Sequence, residues 1–361
     1  MRDRRRNILL ALLIIFFIYF EIHSCSEDSV TAPDMSSEKP EGVLYKANNV
    51  FFVDKDNGWI VGEEGTVART ADGGKNWIGS RIECGNLFGV YFLDSDNGWI
   101  VGEDGNIYRT EDGGVEWMPI SFDDFTDDDL YGVEFVNDSL GFVLGTHGVY
   151  RTEDKGATWE NNWNSVVQER NAWGMSIIDS NHAYMLGSMF NESDPEIMYK
   201  TENGGRSWET VDGTNFSALR GLLTINFVDA NTGWGGGSVL LKTEDGGKTW
   251  VSQLNNAEIR RFFFKNHMNG FAVGNDKIIK TVDGGNTWTE IMPEDERIVD
   301  MRDIYFVDDN YGWIVGRGPE EVIDGNLYVY SIVLKTTDGG DNWTLQKLPW
   351  EKCTDRISDE Q

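Results

Sequence analysis

The stretch GWIVGEDGNIYRTEDGGVEW, which runs from Gly98 to Trp117, recurs in some version seven times along the chain of 361 residues. Its last eight residues, Thr-x-Asp-Gly-Gly-x-x-Trp, recur most faithfully. An Asp or Asn at the third position can accept hydrogen bonds from backbone N–H groups just ahead of it, and the following Gly reaches positive φ without a Cβ clash. The pattern predicts tight hairpins at residues 70–77, 110–117, 152–159, 201–208, 243–250, 281–288 and 336–343. The structural side chains of these turns are Asp72, Asp112, Asp154, Asn203, Asp245, Asp283 and Asp338.

Each repeat also carries the pattern of short β-strands. Upstream of the turn, Gly-Trp-Ile-Val-Gly and Gly-x-Ile-Tyr-Arg-Thr show the period-2 alternation of half-buried strands bounded by Gly. The Trp that closes the turn is expected to pack back onto the sheet, with a polar partner within reach of its indole N–H. Each unit is therefore predicted to form about four strands.

The spacing of the turns indicates how the units assemble. Successive turns are roughly 40 residues apart, the period of a propeller blade, and one such sheet must stack against its neighbours to bury both faces. We predict an all-β fold, a seven-bladed β-propeller with four-stranded antiparallel blades, over residues 43–349. The alternative is a linear solenoid, which needs polar caps at both ends, whereas the terminal repeats here are not atypical.

The eight-residue turn resembles the Asp-box, or bacterial neuraminidase repeat. The longer unit, GWIVGEDGNIYRTEDGGVEW, resembles the repeat of the photosystem II stability/assembly factor family, whose members are seven-bladed propellers. This resemblance covers residues 43–349 and implies a non-catalytic scaffold that binds a protein partner. Asp-boxes also occur in sialidases, xyloglucan hydrolases and sortilin-type receptors, so the fold is implied more strongly than the function.

The first 24 residues have the pattern of a lipoprotein-type signal peptide. Four Arg lie within residues 2–6, an apolar run covers residues 8–20, and the tetrapeptide Ile22-His23-Ser24-Cys25 resembles a lipobox. Cys25 would then carry the lipid. Plain secretion and an uncleaved N-terminal anchor are the alternatives. Residues 25–42 are expected to form a flexible tether and residues 350–361 a C-terminal tail. The predicted location is the outer membrane or cell surface of a bacterium.

The charge of the chain excludes one class of partner. The formal net charge is −30, with 61 acidic against 31 basic residues. Such a field repels nucleic acid and anionic lipid, so nucleic-acid binding is excluded and the membrane is reached only through the lipid. We expect a monomer that stays soluble at the envelope through this charge.

Two questions concern the ends of the ring. Cys84 and Cys353, which follow the first and last blades, could form a disulfide in an oxidising envelope. Each blade could also be contiguous in sequence, beginning with an inner strand near residues 48–53. In the alternative arrangement the segment GVLYK, residues 42–46, supplies an outer strand.

Candidate functional residues lie where the inner strands begin, at one mouth of the central channel. Insertions at residues 188–196 and 317–330 extend the loops of this face, which marks it as the working face. The predicted partner-binding residues are Trp173, Arg220, Arg260, Arg302 and Arg317. The family resemblance implies that Arg220, Arg260 and Arg302 contact a protein partner. An acidic connector, residues 123–129, is expected across the ring. The alternative is that these Arg only neutralise neighbouring carboxylates.

No catalytic residues, metal or cofactor are predicted. The segments beginning at Asp54 and Asp94 resemble the start of a calcium loop but lack its twelfth-position Glu, and they are expected to be turns. His147, His182 and His267 show no ligand spacing. The Phe-Arg-Ile-Pro motif of sialidases is missing. The second function class is a carbohydrate-binding or glycoside-hydrolysing propeller, which would need two suitably spaced carboxylates.

Overall fold

The computed structural model describes residues 46–120, 128–161, 170–189, 197–212, 219, 221–293, 298–323, 326–346 and 353–355. All of them belong to one compact unit, Glu41–Gln361. The signal peptide, the tether and nearly all of the segment GVLYK lie outside these residues. None of the described residues belongs to a helix that could cross a membrane.

The described residues form seven antiparallel sheets, each contiguous in sequence, which confirms the seven-bladed propeller. Blade 1 comprises β1 Ala47–Phe52, β2 Gly58–Gly62, β3 Thr66–Thr70 and β4 Ile78–Arg81. Blade 2 comprises β5 Leu87–Phe92, β6 Gly98–Gly102, β7 Ile107–Thr110 and β8 Met118–Pro119. Blade 3 comprises β9 Leu130–Phe135, β10 Gly141–Gly145, β11 Gly148–Thr152 and β12 Glu160–Asn161. Blade 4 comprises β13 Arg170–Ile177, β14 Ala183–Met189, β15 Ile197–Thr201 and β16 Glu209–Thr210.

The last three blades repeat this order. Blade 5 comprises β17 Leu222–Phe227, β18 Gly233–Gly237, β19 Val239–Thr243 and β20 Val251–Asn255. Blade 6 comprises β21 Ile259–Phe264, β22 Gly270–Gly274, β23 Lys277–Thr281 and β24 Thr289–Glu290. Blade 7 comprises β25 Asp300–Phe306, β26 Gly312–Ile323, β27 Asn326–Thr336 and β28 Thr344–Leu345. A fifth strand, β29 Cys353–Asp355, pairs with β27, so part of the predicted tail extends the last blade.

The turn between the third and fourth strands is held by side chains. In blade 1, the Thr70 hydroxyl donates to Asp72 Oδ1 over 2.9 Å and accepts the Gly74 N–H over 3.0 Å. Asp72 Oδ1 also accepts the Asn76 N–H over 2.9 Å, while Gly73 and Gly74 adopt φ of 72° and 88°. The Thr contacts recur in the other six turns. The buried Thr hydroxyl is thus as much a part of the turn as the carboxylate.

The Trp of each turn packs as expected, but the expectation of a polar partner for its indole N–H is wrong in most described turns. Trp250 Nε1 donates to Gly247 O over 3.0 Å. The indole nitrogens of Trp77, Trp117, Trp159, Trp288 and Trp343 are buried with no hydrogen-bond partner among the described residues. These rings meet the edge of an inner-strand Phe instead; Phe52 and Trp77, for example, lie 5.9 Å apart at 85°. Aromatic packing therefore outweighs the indole hydrogen bond here.

The second strands differ from the predicted half-buried pattern. β2, β6, β10, β18 and β22 are buried at every residue. The period-2 expectation was wrong because both faces of a blade are covered, one by the preceding blade and the other by the following one. Neighbouring blades thus replace the solvent that an isolated sheet would face.

One aromatic residue in the second strand of each blade joins it to the next blade. Trp59 of blade 1 stacks on Phe92 of blade 2, with ring centroids 3.5 Å apart, and donates its indole N–H to Gly113 O over 2.9 Å. Comparable ring pairs join blade 2 to 3, blade 4 to 5, blade 5 to 6 and blade 6 to 7. They are Trp99 with Phe135, Tyr184 with Phe227, Trp234 with Phe264 and Phe271 with Phe306. The turn Gly is needed for this approach, since a Cβ at Gly340 would lie 2.5 Å from Phe271.

The same contact closes the ring between blades 7 and 1. Trp313 stacks on Phe52 with centroids 3.5 Å apart and donates to Gly73 O over 3.3 Å. Lys335 Nζ donates to the same oxygen over 2.7 Å. The inner strands β25 and β1 also pack together. The first and last blades are therefore neighbours, as a closed propeller requires and an open solenoid does not.

The structure does not contain the disulfide considered above. Cys84 is a free thiol whose Sγ lies 3.5 Å from Gly85 O, and burial raises its pKa to about 11. Cys353 lies in β29, at the register position of Val329 in β27. The ring is closed by the aromatic seam of blades 7 and 1 and not by this bridge.

The turn carboxylates should make the propeller sensitive to acid. Hydrogen bonds from the side chain and backbone of Asn342 lower the pKa of Asp338 to about 2. The pKa values of Asp112 and Asp283 are lowered chiefly by the Glu116 N–H and the Thr287 hydroxyl.

A carboxyl whose pKa is lower in the folded state contributes stability above its ordinary value of 3.8, and this stability is lost as the pH falls through the folded value. We expect the free energy of unfolding in urea to fall steadily between pH 4 and pH 2. Asp338→Asn should show a shallower decline, and blade 4 already accommodates an amide at Asn203. Equal unfolding free energies across this range in the native protein would contradict this account.

Candidate functional site

One position near the start of each inner strand has the same structural feature in all seven blades. Each of these positions lies at a β-bulge of its inner strand, where the register with the second strand shifts by one residue. A bulge redirects the side chain of the extra residue. The seven positions, from blade 1 to blade 7, are Asn48, Phe88, Tyr131, Trp173, Leu223, Arg260 and Arg302. The seven bulges thus place one backbone position per blade on a single ring at the channel mouth.

Three of the predicted Arg meet at a single carboxylate. Arg260 Nε donates to Asp300 Oδ1 over 2.8 Å, and Arg302 Nε donates to Asp300 Oδ2 over 2.9 Å. Arg317 Nε donates to the same oxygen over 3.0 Å. Asn275 accepts a further hydrogen bond from Arg260 Nη2 over 3.0 Å. Blades 6 and 7 thus hold the three guanidinium groups together, and we call Arg260, Arg302 and Arg317 the arginine cluster.

The arginine cluster carries more positive charge than its anchor neutralises. The Asp300 side chain is only 6 % exposed, whereas those of Arg260, Arg302 and Arg317 are 31, 28 and 30 % exposed. Burial alone would raise the pKa of Asp300, but the three charges hold it below its ordinary value. Burial, together with repulsion from the other two Arg, lowers the pKa of Arg302.

The cluster borders a depression that can admit a ligand. A cavity of about 260 Å³ is lined by Arg260, Arg317, Asp300, Asn275 and Asp276, among others. Arg side chains offer several N–H donors in a fixed plane, and each here uses only part of that set on Asp300. Asp300 and Asp276 together offset two of the three guanidinium charges, and the positive charge that remains beside the cavity suits a carboxylate or a similar anion.

The structure describes only the backbone of Trp173 and does not describe Arg220. Trp173 lies in β13 at the bulge between Ala172 and Gly174, the blade 4 equivalent of Arg260 and Arg302. Arg220 lies outside the described residues. The structure therefore unites three of the five predicted residues and places the backbone of a fourth on the same ring of bulges.

The structure describes two residues of the acidic connector, Asp128 and Asp129. Asp128 is wholly buried, where it accepts hydrogen bonds from the Tyr150 hydroxyl and the His147 N–H. Asp129 accepts the Asp104 N–H over 3.2 Å. Residues 123–127 lie outside the described residues. Asp128 therefore serves the packing of blade 3 and is not exposed on the face, which corrects the interpretation of this residue.

Sequence reasoning missed Asp300, the residue that organises the site. Asp300 precedes Arg302 by two positions in the inner strand of blade 7, and no motif in its local sequence distinguishes it from the other acidic residues of the chain. The signal that could have revealed it is the presence of three charged residues, Asp300, Arg302 and Asp303, in one predicted inner strand. Charged residues in the inner strand of a propeller face partners from neighbouring blades.

The segments that resemble calcium loops form turns. Asp54 Oδ1 accepts the N–H groups of Asp56 and Asn57 over 2.7 and 2.8 Å, and Asp94 does the same for Asp96 and Asn97. In the part of the chain that the structure describes, no group of three or more His, Cys, Asp or Glu is arranged to hold a metal ion.

The closed ring, its side-chain-supported turns and the basic mouth define the class of protein. It is a seven-bladed β-propeller of Asp-box type whose arginine cluster suits an anionic partner. The model of the family described as Photosynthesis system II assembly factor YCF48 matches residues 42–125 and 254–354, about half of the chain. The chain belongs to this family. The second matched segment contains the whole arginine cluster and its anchor.

Solved structures share the fold. The chain is similar to a structure described as YCF48 bound to D1 peptide, with a TM-score of 0.62 and 20% identity, over 80% of this chain and 97% of that one. YCF48 from Cyanidioschyzon merolae gives a TM-score of 0.60 and 19% identity, over 77% and 94%. PorZ of Porphyromonas gingivalis gives 0.55 and 11%, over 85% of this chain and 46% of that one. No curated protein sequence matches the chain significantly.

Proposed function

We propose that this protein is a non-catalytic binding scaffold whose arginine cluster captures a carboxylate-bearing segment of a protein partner. The observation that carries the proposal is the convergence of three guanidinium groups on the single buried carboxylate of Asp300. Even with Asp276 in the cavity wall, this arrangement leaves one positive charge uncompensated in a chain of net charge −30. The alternative interpretation is that these Arg only neutralise neighbouring carboxylates. It would require about as many carboxylates as Arg at the site.

Two further observations support a peptide-like ligand. The cavity beside Arg260 and Arg317 opens to solvent at the channel mouth, where an extended segment can approach. One member of the family has been solved with a D1 peptide bound, so this fold accommodates a peptide in at least one relative. In the present chain, Trp173 and Arg220 are proposed to extend the contact from blades 4 and 5.

The competing glycoside hydrolase needs two carboxylates, one free to protonate the leaving group and one to act as nucleophile or base. The channel contains Glu134 and Asp303. Asp303 Oδ2, however, accepts hydrogen bonds from Asn49 Nδ2 and the Val50 N–H, and its Oδ1 lies 3.6 Å from Arg261 Nε. A carboxylate occupied in this way is poorly placed for proton transfer or attack, which favours the non-catalytic function.

Crosslinking from native membranes tests the proposal. The comparison uses the unaltered protein and the double variant Arg302→Gln/Arg317→Gln, which retains Arg260 to pair with Asp300. Arg81→Gln is the matched control, because the Arg81 side chain is also 30% exposed and pairs with Glu64 over 2.9 Å elsewhere on blade 1. We expect one defined protein to be captured by the native and control proteins and lost from the double variant.

Capture of the same protein by all three forms would show that the site is wrong. Retention of polysaccharide with no protein would favour the carbohydrate-binding alternative. Folding of each variant is checked by circular dichroism, so that loss of capture is not confused with loss of structure.

We propose further that Cys25 carries a lipid that holds the monomeric propeller at the outer membrane or cell surface of a bacterium. Cys25→Ser should abolish incorporation of labelled palmitate and release the protein from membranes. Incorporation that persists in Cys25→Ser would rule out this anchor. Membrane association without any label in the native protein would indicate an uncleaved N-terminal segment instead.

A further inference from the structure

The central channel contains a second cavity, distinct from the one beside the arginine cluster. Its volume is about 410 Å³, and inner-strand residues of all seven blades line it. Part of the space exists because Gly132 follows the bulge of blade 3. A Cβ at Gly132 would meet no atom within 4 Å. The channel is therefore open on this side.

Aromatic rings form one wall of this cavity. Phe51 packs against Tyr91 and Tyr305, with both centroid distances at 4.7 Å, and Phe263 lies 6.0 Å from Tyr305. Tyr91 donates its hydroxyl to Phe135 O over 2.9 Å. We call Phe51, Tyr91, Tyr305 and Phe263 the aromatic arc; it spans blades 6, 7, 1 and 2. Such a wall attracts apolar groups and cations.

One ion pair in the cavity is internally satisfied. Asp303 accepts two hydrogen bonds, from Asn49 Nδ2 over 2.7 Å and from the Val50 N–H over 3.0 Å. Its other oxygen lies 3.6 Å from Arg261 Nε. The charges of Asp303 and Arg261 thus compensate each other, and this pair leaves little capacity for a ligand.

Two acceptors that face the cavity remain unused. Glu134 is exposed to the solvent of the channel and receives no hydrogen bond from any described residue, and the surrounding wall raises its pKa against the attraction of Arg261. Asn226 Oδ1 is buried without a hydrogen-bond partner among the described residues. Both residues line the cavity. A ligand that satisfies them must supply N–H or O–H donors, and the uncompensated carboxylate favours a positive one.

We propose that the channel binds a small organic cation, a primary ammonium group on an alkyl stem. The ammonium donates to Glu134 and to Asn226 Oδ1, while the stem packs on the aromatic arc. Small-ligand sites have this composition, with mostly apolar and aromatic walls and a few convergent polar groups. The ammonium can come from a free amine or from a Lys side chain of a partner. This site is independent of the arginine cluster, whose residues the tests below leave intact.

Calorimetric titration of the intact chain with n-butylammonium at pH 8.5 tests the proposal, with n-butanol as the uncharged probe of the same length. We expect butylammonium to bind at least about tenfold more tightly than butanol, because a charge-assisted hydrogen bond is lost in the alcohol. Equal affinities, or no binding of any ammonium probe, would overturn the proposal.

Two variants locate the site. Glu134→Gln should weaken butylammonium binding by about tenfold or more, because it removes the negative charge and keeps the shape. Gly132→Leu should abolish binding without changing any charge, since the new side chain enters the cavity and its Cβ meets no clash. Unchanged affinity in both variants would place the ligand elsewhere. Melting curves of each variant confirm that the propeller is folded.

The pH dependence supplies a separate check. The charged and titratable groups that act on Glu134 or share its wall are Arg261, Asp303, Tyr91, Tyr131 and Tyr305. The alkylammonium stays protonated across the range from pH 5.5 to pH 8.5, whereas the raised pKa of Glu134 makes its carboxylate lose charge towards the lower end of this range. Affinity should therefore drop by about tenfold or more at pH 5.5, and less in Glu134→Gln. Burial raises the pKa of Asp303 to about 6, so this carboxyl also titrates within the range and the comparison with Glu134→Gln separates the two. A pH-independent affinity in the native protein would contradict the role of Glu134.

A last probe distinguishes the two sources of the ammonium. Nα-acetyl-lysine methylamide presents a Lys side chain on a blocked backbone. Binding of butylammonium alone identifies a free amine as the ligand, and binding of the blocked lysine as well identifies a partner's side chain. Both results support an ammonium site. The failure of both probes rejects it, whatever crosslinking shows for the arginine cluster.

Discussion

Trp313→Ala should lower the free energy of unfolding by about 3–5 kcal/mol, the cost typical of truncating a fully buried Trp. The Trp313 side chain is wholly buried between blades 7 and 1, where it stacks on Phe52 and donates to Gly73 O. The substitution leaves a cavity at the seam that closes the ring. Urea unfolding followed by far-ultraviolet circular dichroism measures the loss without relying on tryptophan fluorescence.

Trp59→Ala is the matched control, because Trp59 makes the same contacts between blades 1 and 2, with ring centroids also 3.5 Å apart. In a closed ring both Trp lie in equivalent interfaces, so the two losses should agree within about 1 kcal/mol. In an open solenoid Trp313 would lie on an end surface, and its truncation would cost far less than that of Trp59. Such an inequality would contradict ring closure.

Asp300→Asn should be the most damaging single substitution at the candidate site. It leaves three guanidinium groups close together with no compensating charge, and breaking a buried pair in this way costs about 3–5 kcal/mol. Asp300 is 6 % exposed and touches all three Arg. Chemical unfolding at pH 7 measures the effect. We also expect sulfate to stabilise the variant more than the native protein, since the anion can replace the lost carboxylate.

Glu64→Gln provides the comparison for Asp300→Asn. Glu64 pairs with Arg81 over 2.9 Å, and both side chains are about 30% exposed, at 31 and 30%. A solvent-exposed pair contributes less than about 1 kcal/mol, so this variant should unfold nearly as the native protein does. Similar losses in both variants would mean that the arginine cluster is an ordinary surface network. Unfolding at acidic pH is informative as well. The pKa of Asp300 is lowered in the folded state, so the stability that its carboxylate gives the folded protein is lost as the pH falls below 3.8.

The sequence was sufficient to predict the fold because each blade repeats its own local signals. The turn formed by Thr70, Asp72 and the two Gly is specified by short-range hydrogen bonds and positive φ, which a sequence pattern records directly. Burial of the second strands was not predictable in this way. β2 carries the pattern of a half-buried strand, and only the neighbouring blades bury its second face.

The candidate site was predictable only in outline. The position of Arg260 and Arg302 relative to their turns placed both at the mouth, because equivalent positions in repeated units lie on one ring. Their convergence on Asp300 depends on the pairing of blades 6 and 7, a contact between elements 40 residues apart in the case of Arg260. The aromatic arc is likewise assembled from four blades, and no local sequence pattern predicts it.

The arginine cluster and the rest of the protein carry charges of opposite sign. The body of the protein is strongly acidic, so it repels acidic segments except at the cluster, where Arg260, Arg302 and Arg317 reverse the local field. Under the proposed function, we expect a partner segment with a carboxylate to be guided to this mouth and its affinity to decline as salt screens the interaction.

The most direct measurement is the affinity of the crosslinked partner, once recovered, for the native protein and for Arg302→Gln/Arg317→Gln at two salt concentrations. The account predicts that the double variant binds at least about tenfold more weakly at low salt and shows a smaller loss of affinity when salt is raised. Equal affinities and equal salt dependence would contradict the claim that the arginine cluster is the partner-binding site.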